Sequence, residues 1–377
     1  MKKNIFIILP YKESLNPSKA GAVSIYVQDT FKYTKYKKNI TIINSDNFSN
    51  SKIFRNKNYI NNFFEKYKNK KIDIIELHNR PEYLPYIKKN FPFTKLLLIY
   101  HNDPIKLRGS QSLKEREYIV KNCDKIIFIS RWIQQRFFIN FKNANISDTE
   151  ILYHGVKKDI NINLNKKNKN ILFVGKLNHA KGYDIFVEAA KKFKKYNDNW
   201  NFIAIGEESR KKIFPDQKIV KEIGQIKNSE VLNFYKKSEI SIGNSTWNEP
   251  LGRIAIESSS RKCLPIISNV AGLKESKSIA ITLKHNNSTE IFKILKFLTN
   301  NKKYLRFKQN KFYKKNNFDI EKITKKLDLI RNKLLNIDIN NNYTKFPRIL
   351  HIANFNELSD GRLHYSFANK LNTGFIK

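Results

Sequence analysis

The sequence predicts an α/β fold with two core-bearing domains and mostly parallel sheets. Short apolar runs typical of buried strands alternate with amphipathic helical patterns along most of the chain, which is the order of βαβ units. Several of these runs end at a Gly or a polar residue, as strands do where they enter a turn. At 377 residues the chain exceeds one typical domain, so two hydrophobic cores are expected.

Polar or small residues follow the strand patterns of the first half. KNIFIILPY is the first strand, and the helical pattern VSIYVQDTFKY follows a loop that contains Gly21. Later strands end at His78, His101 and Ser130. Because ligands gather at the carboxyl ends of parallel strands, these three side chains are predicted to face the cleft between the domains. A histidine at a strand end also serves as a structural hydrogen-bonding group, and both interpretations stay open.

The second half repeats the order of strand, turn and helix. The segment ILFVGKLNHAKGYDIFVEAAKKF, from Ile171 to Phe193, has the pattern of a buried strand, a Gly turn with Lys176 and Lys181, and an amphipathic helix. NFIAIGEES adds a strand and a Gly turn, and EVLNFYKKSEISIGNSTWNEP adds a helix, a short strand and a loop. Placement after a strand makes both lysines candidates for binding an anion, although surface solubility explains any single lysine in so basic a chain.

The most informative stretch runs from Trp247 to Glu275 and has the pattern loop, helix, strand, loop. Pro250 and Gly252 break regular structure, so Gly252 is predicted to stand at a helix start, where unpaired N–H groups can bind a phosphate. Glu249 precedes this helix and Glu257 lies inside it. Two carboxylates beside an anion site indicate recognition of hydroxyls on a ribose or a sugar, whereas such a pair alone is more often solvated surface charge.

This stretch resembles the E-x7-E signature of retaining glycosyltransferases of family 4, which have the GT-B architecture of two Rossmann-like domains facing across a cleft. The ordered elements from Ile171 to Glu275 match that family as a set. The resemblance implies that basic side chains hold the donor diphosphate, that Glu257 holds the ribose and that Glu249 holds the sugar hydroxyls. The predicted catalytic residues are His101, Lys181 and Glu249, and the predicted donor-binding residues are Gly21, Lys176, Lys181, Gly252 and Glu257.

Three positions bear on the match: at the first the family shows Lys as well as Arg, and at the other two the chain departs from the family pattern. Lys176 keeps the positive charge but lacks the planar, bidentate contacts of the Arg that often stands there. Leu251 replaces the usual Phe, and Lys262-Cys263 stand where a small residue and a Gly usually precede the Pro. The identity of the donor sugar is therefore left open.

The resemblance implies transfer of a sugar, with retention of configuration, from a nucleotide-diphosphate sugar to a hydroxyl of a glycan or lipid-linked acceptor. Such a step belongs to the assembly of cell-surface polysaccharide or lipopolysaccharide. The sequence contains no Asp-x-Asp pair, so transfer without a metal or another cofactor is expected. A catalytically inactive GT-B-like binding module is the alternative, and nucleotide binding without turnover would distinguish it.

The net charge of +39, from 72 basic and 33 acidic residues, suits contact with anionic lipid or with nucleic acid. The excess is spread along the chain and no nucleic-acid-binding signature is found, so a basic membrane-facing patch is preferred and nucleic acid is not expected.

The apolar run of MKKNIFIILP is too short for an export segment, and no window approaches the length of a membrane span. Two distant cysteines, Cys123 and Cys263, favour a reducing compartment. We expect a cytoplasmic protein, with peripheral contact at the inner face of the membrane as an open alternative.

The expected organisation has four parts. Residues 1–157 form the N-terminal acceptor domain, and the polar residues 157–170 form an exposed linker. Residues 171–300 form the nucleotide-sugar donor domain, and basic helices over 301–340 pack back toward the first domain. The segment 346–377 has a strand pattern, a polar loop and a helical pattern. It is either the start of a second glycosyltransferase-like unit or an extra strand and helix on the second domain.

Overall fold

The computed structural model of the protein describes residues 3–11, 13–44, 56–142, 148–210 and 213–336. Within these ranges the chain forms two parallel sheets of six strands each, joined by helices. This confirms the predicted α/β class with two lobes. We call the lobe around the first sheet the first lobe and the lobe around the second sheet the second lobe. The segment 346–377 lies outside the described residues.

The first lobe is built on strands of which the central four are apolar and almost wholly buried. Its strands are β1 (Ile5–Ile8), β2 (Ile40–Ile43), β3 (Ile74–His78), β4 (Lys95–Tyr100), β5 (Lys125–Phe128) and β6 (Thr149–Ile151). They are parallel throughout, in the order β2-β1-β3-β4-β5-β6. A parallel sheet covered on both faces needs continuous apolar runs rather than alternation, as in the IFII of β1. Its helices are α1 (Ala22–Tyr33), α2 (Asn56–Tyr67), α3 (Leu84–Asn90), α4 (Leu113–Asn122) and α5 (Arg131–Phe137).

The second lobe has the same construction. Its strands are β7 (Asn168–Val174), β8 (Asn201–Ile205), β9 (Lys221–Glu222), β10 (Ser238–Gly243), β11 (Leu264–Ile267) and β12 (Ile281–Thr282). Their order is β12-β11-β10-β7-β8-β9, again parallel throughout. The helices that follow β7 are α6 (Tyr183–Tyr196), α7 (Asn228–Lys237), α8 (Arg253–Ser259), α9 (Ser288–Asn300), α10 (Lys302–Lys315) and α11 (Ile320–Leu334). The loop, helix and strand predicted around Gly252 are confirmed as the loop before α8, α8 itself and β11.

Two stretches of chain run side by side where the lobes meet. The N–H of Val156 donates to the carbonyl of Phe318 at 2.9 Å, and Val156 forms an isolated parallel bridge with Asp319. Immediately after this point α11 begins, and it packs against α1 of the first lobe. The last described helix is therefore part of the first lobe, although it follows the whole second lobe in the sequence.

A buried ion network fixes α11 to the first sheet. Arg331 donates from Nε and Nη2 to the two carboxylate oxygens of Glu76 on β3, at 2.6 and 2.9 Å. Its Nη1 donates to Asp328 at 2.8 Å and to the hydroxyl oxygen of Thr34 at 2.9 Å. Arg331 and Glu76 are each only 1% exposed, so the charges are paired in the interior rather than hydrated. The carboxylates hold the pKa of Arg331 above its usual value despite burial.

The linker between the lobes is less exposed than the sequence indicates. β7 begins at Asn168 instead of Ile171, and both Lys167 and Asn170 are buried. The ammonium nitrogen of Lys167 lies within hydrogen-bond distance, 2.7 to 3.1 Å, of four backbone carbonyls at the ends of α7 and α8, those of Tyr235, Lys236, Ser238 and Arg261. Helix ends leave such carbonyls without partners, and one lysine satisfies several of them here. Burial lowers the pKa of Lys167 to about 8.

Candidate active site

A cavity of about 500 Å³ lies between the two lobes at the carboxyl ends of their strands. In α/β sheets this edge is where ligands bind. Residues from both lobes line it, and they include every residue predicted as catalytic or donor-binding: Gly21, His101, Lys176, Lys181, Glu249, Gly252 and Glu257. Residues that are far apart in the sequence thus share one site. Their individual roles stay predictions.

Lys181 and Glu249 form an ion pair at the second-lobe side of the cavity. Lys181 ends a short 3-10 turn after β7, and its ammonium donates to Oε1 of Glu249. The same oxygen accepts a hydrogen bond from the hydroxyl of Ser245 at 2.6 Å. Among the described residues no group donates to Oε2 of Glu249, so this oxygen is available to a ligand. The ammonium also lies 5.3 Å from the centre of the Trp247 ring, a cation–π distance.

Glu257 is held in the same manner by a residue that the sequence analysis missed. Arg253, one turn earlier on α8, donates from Nε to Oε1 of Glu257 at 2.9 Å, and Asn228 donates to that oxygen at 3.1 Å. Oε2 of Glu257 has no hydrogen-bond partner within the described part of the chain. Arg253 also pairs with Asp29 of the first lobe at 3.4 Å, so it joins the two lobes across the cavity. The spacing of Arg253 and Glu257, four residues on a predicted helix, was the signal for this pair.

Arg253 keeps one donor unused. Its Nη1 is buried and has no hydrogen-bond partner among the described residues, although Arg253 lines the cavity. The nearby carboxylates of Glu257 and Asp29 raise the pKa of its guanidinium, against the effect of burial. A permanently charged donor without a partner is expensive in the interior, so a ligand anion is the group that this position suits.

Gly252 stands at the start of α8, as predicted. Its φ of +76° lies in the left-handed region, and a Cβ there would come within 2.5 Å of the Leu273 side chain. Glycine is therefore required both by the backbone and by the space. Leu251, the departure from the family pattern, is buried and lines the cavity. Cys263 does not line it but packs in the core, where burial raises the pKa of its thiol to about 12.

The Gly21 turn has a carboxylate beside it. Gly21 precedes α1 and lines the cavity, but a Cβ there would meet the carboxylate oxygens of Glu13 at 2.9 Å. This carboxylate accepts hydrogen bonds from the N–H and the hydroxyl of Ser24, at 3.4 and 2.6 Å, in the first turn of α1. Glu13 thus interacts with a helix N-terminus that would otherwise be open to an anion.

Three histidines of the first lobe form a hydrogen-bonded chain. His78 Nδ1 lies 2.8 Å from His101 Nε2, and His101 Nδ1 lies 2.9 Å from His154 Nε2. Tyr26 of α1 packs on them, stacked on the His154 ring with centroids 4.9 Å apart. Burial lowers the pKa of His101 to about 3 and holds the pKa values of His78 and His154 well below the usual range. All three rings are therefore neutral at physiological pH.

Two residues predicted to face the cleft do not line the cavity. His78 is enclosed behind His101, because its Nδ1 contacts that ring. Ser130 caps α5 by accepting from the N–H of Ile133 at 3.2 Å, and its hydroxyl donates to the carbonyl of Pro250 in the second lobe at 2.6 Å. Its role is thus a contact between the lobes. His154, which the sequence analysis did not select, lines the cavity instead. Its position three residues after the end of β6 was the available signal.

Among the described residues no group of three or more His, Cys, Asp or Glu side chains is arranged to hold a metal ion. The histidine nitrogens face one another in succession and do not converge on one point. No helix in the described ranges is long and apolar enough to cross a membrane.

Two parallel-sheet lobes with a cavity lined from both have the architecture of the GT-B fold. Residues 157–314 match the family model described as glycosyl transferases group 1. Spore coat protein SA of Bacillus subtilis is 23% identical over 312 residues, covering 71% of this chain and 81% of that relative. An uncharacterized glycosyltransferase of Methanocaldococcus jannaschii is 29% identical over 269 residues, covering 67% of this chain and 71% of that relative.

Solved structures show the same fold. The Anabaena protein HepE in complex with UDP-glucose has a TM-score of 0.67 at 13% identity, over 88% of this chain and 99% of that chain. A glycosyltransferase from Rickettsia africae also has a TM-score of 0.67, at 20% identity, over 89% of this chain and 99% of that chain. The solved structures show the GT-B fold, and the match over residues 157–314 is to glycosyl transferases.

Proposed function

We propose that this protein is a retaining glycosyltransferase of family 4 that moves a sugar from a nucleotide-diphosphate sugar to a hydroxyl of a glycan or lipid-linked acceptor. The observation that carries the proposal is the convergence of Lys176, Lys181, Glu249 and Glu257 on one cavity between the lobes. In the reaction the anomeric carbon loses its bond to the diphosphate and gains one to the acceptor oxygen. The nucleoside diphosphate leaves with the electron pair, and the acceptor proton is released.

The second lobe supplies the donor half of the site. Lys176 and Lys181 neutralise the charge that develops on the departing diphosphate, together with the backbone N–H groups that follow Gly252. Arg253, with its free Nη1, adds a cation that the sequence analysis did not include. These groups act by electrostatic preorganisation, so transfer without a metal is part of the proposal.

The two carboxylates recognise hydroxyls. Glu257 and Glu249 each have one oxygen occupied by protein donors, and the other oxygen is free to accept from the ribose and from the sugar respectively. The ammonium of Lys181 is paired with Glu249. A bound diphosphate therefore shares the ammonium of Lys181 with Glu249 or takes the place of Glu249 beside it. The ammonium between the two anions reduces the repulsion between carboxylate and phosphate.

The first lobe faces the acceptor side, with His101 at the cavity. A lipid-linked acceptor would bring the protein to a membrane surface, and the net charge of +39 favours anionic lipid. HepE, which shares the fold of this chain, is solved with UDP-glucose, and this supports a nucleotide-sugar donor in general. Cell-surface polysaccharide or lipopolysaccharide assembly is the process we propose.

The test starts with a thermal-shift panel of UDP-, GDP-, ADP- and CMP-sugars on the wild-type protein. One sugar nucleotide should raise the melting temperature, because a ligand that binds only the folded state stabilises it. Lys181→Ala and Glu257→Ala should then abolish donor-dependent transfer. Lys191→Ala and Glu188→Ala are matched controls, since these two residues form an exposed pair on α6.

The outcomes separate the two candidate functions. Unchanged transfer in both Lys181→Ala and Glu257→Ala would refute the site assignment. Binding of a nucleotide sugar without any transfer to oligosaccharide or lipid-linked acceptors, and without hydrolysis, would favour the inactive binding module.

A further inference from the structure

The segment 291–318 runs through most of α9 and all of α10, and its charged residues are all positive. It contains eight Lys and one Arg but none of the 33 acidic residues of the chain. No other stretch between two acidic residues holds more than five basic ones. Arg306 pairs with the buried carboxylate of Glu239, so the lysines are the charges that this segment presents to solvent. Positive charge is therefore concentrated here beyond the basic character of the chain as a whole.

One side of α10 combines these lysines with aromatic rings. Tyr304, Phe307 and Lys311 recur at intervals of three and four residues, so they lie on the same side of the helix. The opposite side is buried and includes Leu305 and Phe312. The outward side of α10 thus holds large apolar rings as well as charges, whereas the outward side of a surface helix is usually polar.

The exposed rings of this region form one patch. Phe297, near the end of α9, contacts Tyr304 with ring centroids 5.3 Å apart, and the Phe307 centroid lies 6.5 Å from that of Tyr304. Phe297, Tyr304 and Phe307 are 52%, 39% and 58% exposed. Single exposed apolar residues are common, but adjacent exposed rings are typical of interaction sites. We call the three rings the α10 surface, together with the lysines on the same side of α10: Lys303, Lys308, Lys311 and Lys314.

Lysines of the α10 surface lie against its rings. The ammonium of Lys308 is 5.1 Å from the centre of the Tyr304 ring, and the ammonium of Lys311 is 5.6 Å from the centre of the Phe307 ring. These are cation–π distances, and the apolar stems of such lysines pack beside the rings while the ammonium groups stay hydrated. The α10 surface therefore presents apolar rings and positive charges side by side.

A bilayer that contains anionic lipid matches this combination. Aromatic side chains concentrate at the level of the lipid headgroups, and nearby lysines are attracted to the negative surface. A single-stranded nucleic acid would stack its bases on open ring faces, whereas lysine ammonium groups lie over the rings of Tyr304 and Phe307. A second copy of this chain in a two-fold dimer would bring the same lysines face to face, and the repulsion of like charges opposes that contact.

We propose that the α10 surface docks the protein on a bilayer that contains anionic lipid. The rings of Tyr304 and Phe307 enter the headgroup region, and the lysine ammonium groups bind lipid phosphates. The choice of a lipid partner rests on the proposed function, because a lipid-linked acceptor holds its hydroxyl at a membrane. Docking requires neither donor nor acceptor, so it can be measured apart from transfer.

The first experiment measures binding of the full chain to lipid vesicles in about 0.1 M salt. Wild type should bind vesicles of phosphatidylglycerol and phosphatidylcholine in equal parts more tightly than vesicles of phosphatidylcholine alone. The variant with Lys303→Gln, Lys311→Gln and Lys314→Gln should bind the mixed vesicles about 100-fold more weakly, because each lysine beside an anionic surface contributes severalfold. A control variant, which should bind within about threefold of wild type, removes the same charge from exposed lysines on α3 and α4: Lys89→Gln, Lys114→Gln and Lys121→Gln.

The second experiment tests whether the rings enter the bilayer. Phe307→Trp and Phe93→Trp each place a tryptophan at an exposed phenylalanine, the first on the α10 surface and the second on the first lobe, where Phe93 is 98% exposed. The mixed vesicles carry lipid that is brominated near the headgroup end of its acyl chains. Compared with wild type, which has three tryptophans, Phe307→Trp should show additional quenching and Phe93→Trp should show none.

Several results would overturn the proposal. Equal weakening by the two triple-lysine variants would show a response to net charge alone, and equal quenching in the two tryptophan variants would exclude insertion at this surface. Tighter binding to single-stranded RNA than to the mixed vesicles, or a dimer that Phe307→Ser dissociates in sedimentation, would assign the α10 surface to another partner. The vesicles contain neither donor nor acceptor, so failure to bind any nucleotide sugar would count against the proposed function and leave the docking result standing.

Discussion

At the scale of single residues, the charged side chains of this site are held in ion pairs with one another. Lys181 and Glu249 form one pair, and Arg253 and Glu257 form another, each leaving a carboxylate oxygen open to the cavity. Such pairing keeps the side chains in place before a ligand arrives, so little ordering remains to be done on binding. The neutral histidines are the counterpart on the first lobe, where hydrogen bonds rather than charges hold the geometry.

The buried histidines make the stability of the protein depend on pH. Their pKa values are lower in the folded protein than the usual 6.5, and that of His101 falls to about 3. Below pH 6.5 the unfolded chain therefore binds protons that the folded protein does not, and stability falls as the pH falls. At pH 5 a histidine with a folded pKa of about 3, as for His101, lowers the free energy of unfolding by about 2 kcal/mol relative to pH 7.5, and His78 and His154 act in the same direction.

Urea unfolding at pH 7.5 and pH 5 measures this effect. His154→Asn should lose less stability than the wild type between the two pH values, because one group with a lowered pKa is removed. His285→Asn controls for the loss of a histidine as such. Identical losses in His154→Asn and wild type would contradict the assignment of a neutral, buried His154.

At the scale of elements, the strand and helix order was predictable because the local pattern determines it. Buried parallel strands such as IFII in β1 and LPII in β11 are continuous apolar runs, and Pro250 with Gly252 marks the start of α8. The two-residue strands β9 and β12 carry no such pattern. The burial of Lys167 was not predictable either, since its four acceptors belong to helix ends some 70 to 90 residues away.

The start of α8 gives an element-scale prediction. Gly252→Ala adds a Cβ within 2.5 Å of Leu273 at a φ of +76°, so it combines backbone strain with a steric clash. Gly224→Ala is a matched control, because its φ is +82° but the nearest atom to the new Cβ is 3.5 Å away. We expect a loss of about 1 kcal/mol for Gly224→Ala, from backbone strain alone, and about 3 kcal/mol for Gly252→Ala. Urea unfolding compares the two, and equal losses would contradict the clash.

At the scale of the whole molecule, the site depends on contacts that no sequence pattern shows. The residues predicted from their places after strands do meet at one cavity, because parallel sheets bring their carboxyl ends to one edge. Which side chains pair across the lobes, such as Arg253 with Asp29 or Ser130 with the carbonyl of Pro250, depends on how the lobes are docked. Periodicity and turn residues carry no information about that docking.

The Arg331 network gives the prediction for the whole molecule. Arg331→Met would leave the buried carboxylates of Glu76 and Asp328 without their partner, at a cost of about 3 to 5 kcal/mol in stability. Arg210→Met, at an 89% exposed side chain, is the control and should change stability by less than about 0.5 kcal/mol. Adding Glu76→Gln to Arg331→Met should restore part of the loss. A single Arg331→Met variant as stable as wild type would show that the pair contributes nothing.

The pair of Glu76 and Arg331 can form only late in the synthesis of the chain on the ribosome. Glu76 meets Arg331 only after 255 more residues have been made, which takes about 13 to 50 s at bacterial or slower elongation rates. A first sheet that formed during that time would hold a carboxylate in its interior without a counter-ion, and the face of α1 that α11 covers would be open. The first lobe is translated first, yet it can be completed only after the second lobe has emerged.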